Sequence, residues 1–216
     1  MNVSELEKAV GGLSTPSKMP GFAYGLPAQA CILGSILAKK KGSVCFSCYA
    51  LDRGMYSFPV VKKAQARRLK ILLSDMFAWK RAMVSLLEKK YARKVGAERV
   101  FRWHDSGDLQ SLEHLSAIVE IAKLVPSIRF WLPTRERKMV TEWLSQHPQG
   151  FPENLAVRVS AAMVGQKNAP VPAGTVGSTV GAEEGFSCPA RLQGNSCGDC
   201  RACWNREVIS VDYHLH

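Results

Sequence analysis

From Val60 to about Val95 the apolar residues Leu69, Leu72, Leu73, Phe77, Met83 and Leu87 recur at roughly helical spacing, with lysines and arginines between them. The stretch predicts one long helix, or two broken near Ser74-Asp75. The period then changes. VFRW (100–103), IRFWL (128–132) and LAVRV (155–159) are short β-rich segments whose starts lie about 28 residues apart. LEHLSAIVEIAKLV, between the first two, is an amphipathic helix ending before Pro126, and RKMVTEWLS is a shorter helix between the second pair. Strand–helix–strand units of this length imply parallel strands and right-handed crossovers. The expected fold is therefore α/β, a curved parallel sheet or partial β/α barrel with cysteine-rich loops at both ends. A doubly wound open sheet is the less favoured alternative. No glycine-rich dinucleotide fingerprint or phosphate loop stands in the right context.

The flanks read differently. Residues 1–30, with GGLSTPSKMPGF, look like an irregular cap, and residues 31–58 like a cysteine-bearing loop. Residues 163–187 are rich in Gly, Pro, Ser and Thr and read as a long loop with room for one more short strand. The expected organisation is one domain over 1–216. Its parts are a cap and first cysteine loop at 1–58, a β/α core at 59–162, and a long loop with a second cysteine region at 163–216.

The chain has 216 residues, 46% of them hydrophobic, enough for one substantial core. No apolar run is long enough to span a membrane. The polar start MNVSELEKAVGG is unlike a secretory signal, so a cytoplasmic location, that of the host cell for a phage protein, is expected. The 29 Lys and Arg outnumber the 18 Asp and Glu, for a net charge of +11. One basic run is Lys39–Lys41, and a denser one comprises Lys62, Lys63, Arg67, Arg68 and Lys70. This excess favours an anionic partner, nucleic acid or small molecule, although a solvated helix face explains the same pattern.

The seven cysteines bear most on function. Cys31, Cys45 and Cys48 lie at the front; Cys188, Cys197, Cys200 and Cys203 lie at the back. An odd number excludes complete pairing within the chain, and a reducing compartment suits metal-bound thiolates better than disulfides. The rear C-x₂-C-x₂-C with Cys188 suits a four-thiolate iron–sulfur cluster, or alternatively structural zinc. His214 or His216 could replace one thiolate. Three front thiolates on a four-iron cluster would leave one iron open to a ligand. In the competing reading Cys31 is a buried thiol and Cys45 and Cys48 join the rear centre.

VFRW runs directly into HDSGDL, placing His104, Asp105, Ser106 and Asp108 after a parallel strand, at the edge where α/β folds bind ligands. Gly107 would allow the bend. Asp105 or Asp108 could act as base, nucleophile or partner of His104. Asp108 or Ser111 could instead cap the next helix. Arg135 emerges one repeat later, beside Thr134 and Glu136, able to grip a carboxylate or phosphate. Arg158 and Ser160 occupy the corresponding place on the third strand. The candidate catalytic set is His104, Asp105, Asp108 and Arg135.

GLPAQAC around Cys31, CFSCYA around Cys45 and Cys48, FRWHDSGD at 101–108, FWLPTRE at 130–136 and the terminal CGDCRACW together resemble the phage gene product 88 domain family, over most of residues 24–204. The resemblance implies an iron–sulfur protein of phage or prophage type, holding one or two 4Fe-4S clusters with ligands drawn from the seven cysteines. A more distant resemblance is to the radical S-adenosylmethionine partial barrels. Those enzymes use C-x₃-C-x₂-C; the spacing Cys31-x₁₃-Cys45-x₂-Cys48 departs from it, which tells against cleavage of that cofactor and leaves an open iron in play. The tail also faintly resembles the zinc site of guanine-exchanging transglycosylases. The leading expectation is an iron–sulfur protein with a redox or ligand-activating site at the sheet edge. The alternatives are a zinc-stabilised nucleic-acid-binding protein and a nucleic-acid base-modifying enzyme.

Overall fold

A computed structural model describes residues 1–92 and 98–215. The helices are α1 (Val3–Val10), α2 (Ile32–Leu37), α3 (Tyr49–Asp52), α4 (Pro59–Ser74), α5 (Met76–Ala92), α6 (Leu112–Leu124) and α7 (Arg137–Gln146). The strands are β1 (Phe22–Tyr24), β2 (Val100–Trp103), β3 (Arg129–Thr134), β4 (Leu155–Ser160), β5 (Val176–Val180), β6 (Phe186–Ser187) and β7 (Ser210–Tyr213).

The long basic segment is two helices. Asp75 adopts extended backbone (φ −157°), and its carboxylate accepts the Ala78 N–H at 2.9 Å, capping the second helix as the first ends. Val95, the expected end of this stretch, lies outside the described residues. The helix 112–124 is also capped, Ser111 accepting the His114 N–H at 3.2 Å.

Seven strands form one sheet in the order β1-β2-β3-β4-β5-β7-β6, and every pairing is parallel. Near-sequential order means successive crossovers advance the same way, the winding of a curved sheet or partial β/α barrel rather than of a doubly wound one. β1 and β6 form the two edges.

Period-two alternation divides the sheet chemically. Phe101, Trp103, Phe130, Leu132, Leu155, Val157 and Val159 join one apolar core with α5, α6 and α7. The opposite parity carries Val100, Arg102, Trp131 and Arg158. Val100 and Trp131 pack there with Ala202, Cys203 and Trp204 of the rear cysteine loop. Helices cover one face, and the rear cysteine loop fills part of the other.

The flanks are more ordered than expected. Residues 1–30 contain α1 and β1, and 163–187 contain two strands where one was expected, followed by β7. α1 starts with a reciprocal cap: Asn2 Oδ1 accepts from Glu5 N, and Glu5 Oε2 from Asn2 N. β1 needs Gly21 at φ +78°, where an added Cβ would fall 1.9 Å from the Val100 carbonyl oxygen.

Candidate functional site

At the carboxyl ends of the strands a cavity of about 560 Å³ opens between the sheet and the front cysteine loop. Its walls include Cys31, Cys45 and Cys48 from the loop, His104, Asp105 and Asp108 after β2, and Arg135 after β3. The structure thus brings all four candidate catalytic residues and all three front cysteines to one cavity. The rear cysteines do not line it.

The front loop is tied down by hydrogen bonds to the strand ends. Glu136 Oε1 accepts the Leu33 N–H at 2.8 Å, fixing the first turn of α2 just after Cys31. Tyr56 donates its hydroxyl to the Asp105 carbonyl at 3.0 Å, and Val44 N donates to Ala162 O at 2.9 Å. Cys31 and Cys48 stand immediately before α2 and α3. A Cβ added to Gly34 would lie 2.7 Å from Cys31 Cβ, 3.5 Å from Cys31 Sγ and 3.8 Å from Cys45 Sγ. Glycine therefore keeps open the gap between these sulfurs. Burial pushes the Cys31 thiol well up, with Asp108 and the other two thiols adding to it, while Arg135 opposes. Burial also raises Cys45, again against Arg135. One guanidinium therefore serves two thiols.

Burial raises both aspartate carboxyls, and they differ in their hydrogen bonds. Asp108 is buried, and its carboxylate accepts from Leu109 N (2.8 Å), Thr134 Oγ1 (2.6 Å) and Arg135 N (2.9 Å). It ties the end of β3 to the turn after β2, and its lone pairs are engaged. Asp105 is buried too, but its Oδ1 has no partner. Gly25 makes room for that oxygen: a Cβ there would come within 2.0 Å of it. Burial raises the Asp105 carboxyl, opposed by the guanidiniums of Arg102 and Arg68. Gly107, at φ +78° and packed on Leu26, makes the expected bend.

His104 has φ +50°, a conformation non-glycine residues rarely adopt and one often found at functional sites. It is buried, neither ring nitrogen makes a well-formed hydrogen bond, and its ring lies 5.4 Å from that of His114. Burial first, then His114 and Arg102, drives its protonation well below the usual histidine range. His104 is a neutral imidazole at physiological pH. Arg135 Nε is a further buried atom without a partner.

The rear set occupies the other part of the concave face. Cys188 follows β6, and Cys203 lies in the 3-10 turn Ala202–Trp204. Cys188 and Cys200 pack on the apolar cluster that contains Cys203. Burial raises the Cys197 thiol, with Cys188 adding to it; burial pushes Cys203 up to about 11, opposed by the Tyr213 hydroxyl, Arg158 and Arg102. All seven cysteines are free thiols. No group of three or more His, Cys, Asp or Glu among the described residues is gathered closely enough to hold a single metal ion.

Several expectations need correction. Arg158 does not reach the cavity rim. It is fully buried and donates to five carbonyls, those of Cys203, Gly177, Ala202, Asn205 and Val208, at 2.7–3.0 Å. The basic run is partly structural as well. Arg68 is buried and holds Gly12 O, Ser14 Oγ and Gly25 O, Arg67 donates to Gly11 O, and Lys62 pairs with Asp52. His214 lines the strand-end cavity, and His216 lies outside the described residues.

Sequence reasoning missed Arg102, Trp131 and Tyr213 as site residues. Arg102 stacks over Trp131 at 4.4 Å, and Tyr213 Oη lies 3.1 Å from Cys203 Sγ. Arg102, Trp131 and Tyr213 all line the cavity. The available signal was a charged residue inside an otherwise apolar strand, VFRW, which must serve a buried polar purpose.

Among the described residues no helix is long and apolar enough to cross a membrane. A family model described as Gene product 88 matches residues 3–206, and the chain belongs to that phage-associated family. No curated protein and no solved structure matches it.

Proposed function

We propose that this protein is a redox or ligand-activating iron–sulfur protein whose working site is the strand-end cavity. In this reading Cys31, Cys45 and Cys48 hold a cluster at the cavity wall. The observation that carries it is the convergence of three free thiols on a cavity that also contains buried polar atoms without partners, Asp105 Oδ1 and Arg135 Nε. Unpaired buried polar groups are costly, and they are tolerated where a ligand completes them. The fit is supported by Gly34, whose missing Cβ leaves the gap between Cys31 Sγ and Cys45 Sγ open.

Cys31, Cys45 and Cys48 would hold the cluster, which would supply one-electron chemistry and an iron position not taken by a cysteine. The rest belongs to the chain's own residues. Arg135, beside Cys31 and Cys45, offsets thiolate charge and attracts an anionic ligand group. Asp105 Oδ1 accepts a hydrogen bond or a proton from the bound molecule. His104 contributes a neutral imidazole in a dry setting. Glu136 and Tyr56 tie the cysteine loop to the strand ends.

Anaerobic purification, with iron and acid-labile sulfide measured per chain, tests the reading. The expected result is a brown protein whose iron falls in the Cys45→Ser and Cys48→Ser variants. A colourless protein holding only zinc, or iron content unchanged in both variants, would overturn it and favour the zinc-stabilised nucleic-acid readings.

A further inference from the structure

The front cysteine loop has an outer side as well as a cavity wall. Of the 15 large hydrophobic side chains exposed among the described residues, seven lie between Ile32 and Val60. Single apolar residues on a surface need no explanation, but a concentrated group marks a place of contact. Six of the seven, Ile32, Ile36, Phe46, Tyr49, Met55 and Phe58, are 40–64% exposed. Ile32, Phe46 and Tyr49 directly follow Cys31, Cys45 and Cys48. The segment is a thin layer with two sides: Cys45, Ala50 and Tyr56 are buried, while their neighbours Phe46, Tyr49 and Met55 meet solvent. Its pieces hold together. A Cβ on Gly34 of α2 would lie 3.8 Å from Cys45 Sγ, the 3-10 turn Ala28–Ala30 touches both α2 and α3, and the Tyr49 and Tyr56 rings are 5.6 Å apart. The bonds of Tyr56 and Glu136 anchor this layer to the strand ends, so the apolar side chains stand on an ordered support.

The same layer is cationic. Lys39, Lys40, Lys41 and Arg53 are exposed, and Asp52 is the one acidic residue from Cys31 to Val60. Lys62 takes up that carboxylate at 2.6 Å. An apolar and aromatic centre with a polar border is the composition of a protein interface. Nucleic-acid-binding surfaces are more polar. Helices that lie in a membrane surface often run to about 20–30 residues, and α2, the longest helix of this layer, has six. Two copies joined here about a twofold axis would set lysines against lysines. We infer that the outer side of the front cysteine loop is a docking face for an acidic partner protein, whose apolar anchor seats on the residues that follow the three cysteines and whose carboxylates meet Lys39, Lys40, Lys41 and Arg53. Gln29, Ser35 and Tyr49 are exposed and also line the strand-end cavity, so a partner seated there covers the outer wall of that cavity. The docking does not depend on what the front thiols hold.

The test titrates the full chain into a fluorescent acidic peptide, in which Trp, Phe and Leu anchors stand among glutamates, and reads anisotropy at low and moderate salt. Three other probes run beside it: the same peptide with its anchors changed to serine, a dT oligonucleotide, and phosphatidylglycerol vesicles. The acidic peptide is expected to bind, more weakly as salt rises, and the peptide without anchors to bind at least about tenfold more weakly. Phe46→Ser changes an exposed side chain, keeps the fold by circular dichroism, and is expected to weaken binding about tenfold. Reversing Lys39→Glu, Lys40→Glu and Lys41→Glu together is expected to abolish binding. The same number of reversals on the helical layer, Lys89→Glu, Lys123→Glu and Lys138→Glu, is expected to leave it in place. Equal loss from both triple reversals, or equal binding of the peptide without anchors, reduces the effect to net charge and overturns the docking face. Tighter binding of the oligonucleotide or the vesicles, or no binding of the acidic peptide at low salt, overturns the acidic protein as occupant. A dimer in sedimentation that Phe46→Ser disperses gives the face to a second copy and overturns it too.

Discussion

Asp108 and Asp105 lie three residues apart at the same strand end, yet replacing each with asparagine should have opposite consequences. The Asp108 carboxylate accepts three hydrogen bonds, two of them from backbone N–H groups on the turns after β2 and β3. Asparagine must present an NH₂ where one oxygen stood, so at least one buried donor then faces another donor. An unsatisfied buried donor costs about 1–3 kcal/mol, and losing the charge assistance of the remaining bonds adds to it. Relief of carboxylate burial returns part, for a net destabilisation of about 2–3 kcal/mol. In a chain of this size that lowers Tm by about 4–12 °C. Asp105 Oδ1 has no partner to lose, and burial raises the carboxyls of both aspartates, opposed at Asp105 chiefly by Arg102 and Arg68 and at Asp108 chiefly by its hydrogen bonds. For such a group the wild-type protein loses stability as pH rises through the folded value, and the asparagine variant does not. Asp105→Asn is therefore expected to stay within about 1 kcal/mol of the parent at pH 7. It should nevertheless abolish ligand capture in the cavity. Thermal unfolding followed by circular dichroism at pH 5 and pH 7 compares the two. An unchanged Tm for Asp108→Asn, or a larger loss for Asp105→Asn, would refute the assignment of one aspartate to the scaffold and the other to the site.

Other outcomes follow from single contacts. Gly34→Ala puts a methyl between Cys31 and Cys45; in the proposed reading iron held by the front thiols should fall, as elemental analysis beside the Cys45→Ser protein will show. His114 is fully buried and its pKa is lowered to about 3. The unfolded chain takes up a proton below about pH 6.5 that the folded one refuses, so stability is full above that pH and lost toward pH 3, at up to about 1.4 kcal/mol per unit. Urea midpoints at pH 7 and pH 5 should show a loss that His114→Gln reduces, and an identical slope in both proteins would count against it. In the basic segment, Arg68→Met should mainly lower stability, because its bonds are internal. Lys63→Ala and Lys70→Ala should instead weaken any polynucleotide binding seen at low salt, by fluorescence anisotropy.

Much of this was legible in the chain because strong periodicity reports strong burial. VFRW, IRFWL and LAVRV alternate cleanly since one parity packs on helices, so three central strands and their crossovers could be read directly. β5, VGSTV, carries Gly, Ser and Thr on a segment buried by neighbouring loops, and its hydrophobic signal is weak. β1 has three residues and depends on a pairing with β2 that is remote in sequence. The front half of the site was legible for a different reason: residues just after parallel strands gather at one edge, and His104, Asp105, Asp108 and Arg135 do so. Their individual states were not. Whether an aspartate is engaged depends on donors from other strands, such as Thr134, and on space supplied by glycines far along the chain, such as Gly25. The role of Arg158 was misread as a rim contact because its five partners come from β5 and the segment 202–208, which alternation within β4 does not reveal.

The alternation that builds the core also brings the rear cysteine set and the strand-end cavity to one guanidinium. The parity opposite the helices delivers Arg102 and Trp131 to the concave face, where they stack, and Tyr213 enters from β7. Arg102 is attracted by Asp105 on the cavity side and acts on Cys197 and Cys203 on the other. The two attractions add, so Arg102 lowers the proton affinity of Asp105 and of the rear thiols independently. Negative charge at the rear thiols acts on Asp105 by direct like-charge repulsion, and an anion bound in the cavity acts on those thiols in the same way. In a buried setting such an interaction is weakly screened, and its sign is fixed by geometry: charge at the rear raises the proton affinity of Asp105. The rear loop and the turn after β2 are far apart in the chain, and Arg102 lies within electrostatic reach of both.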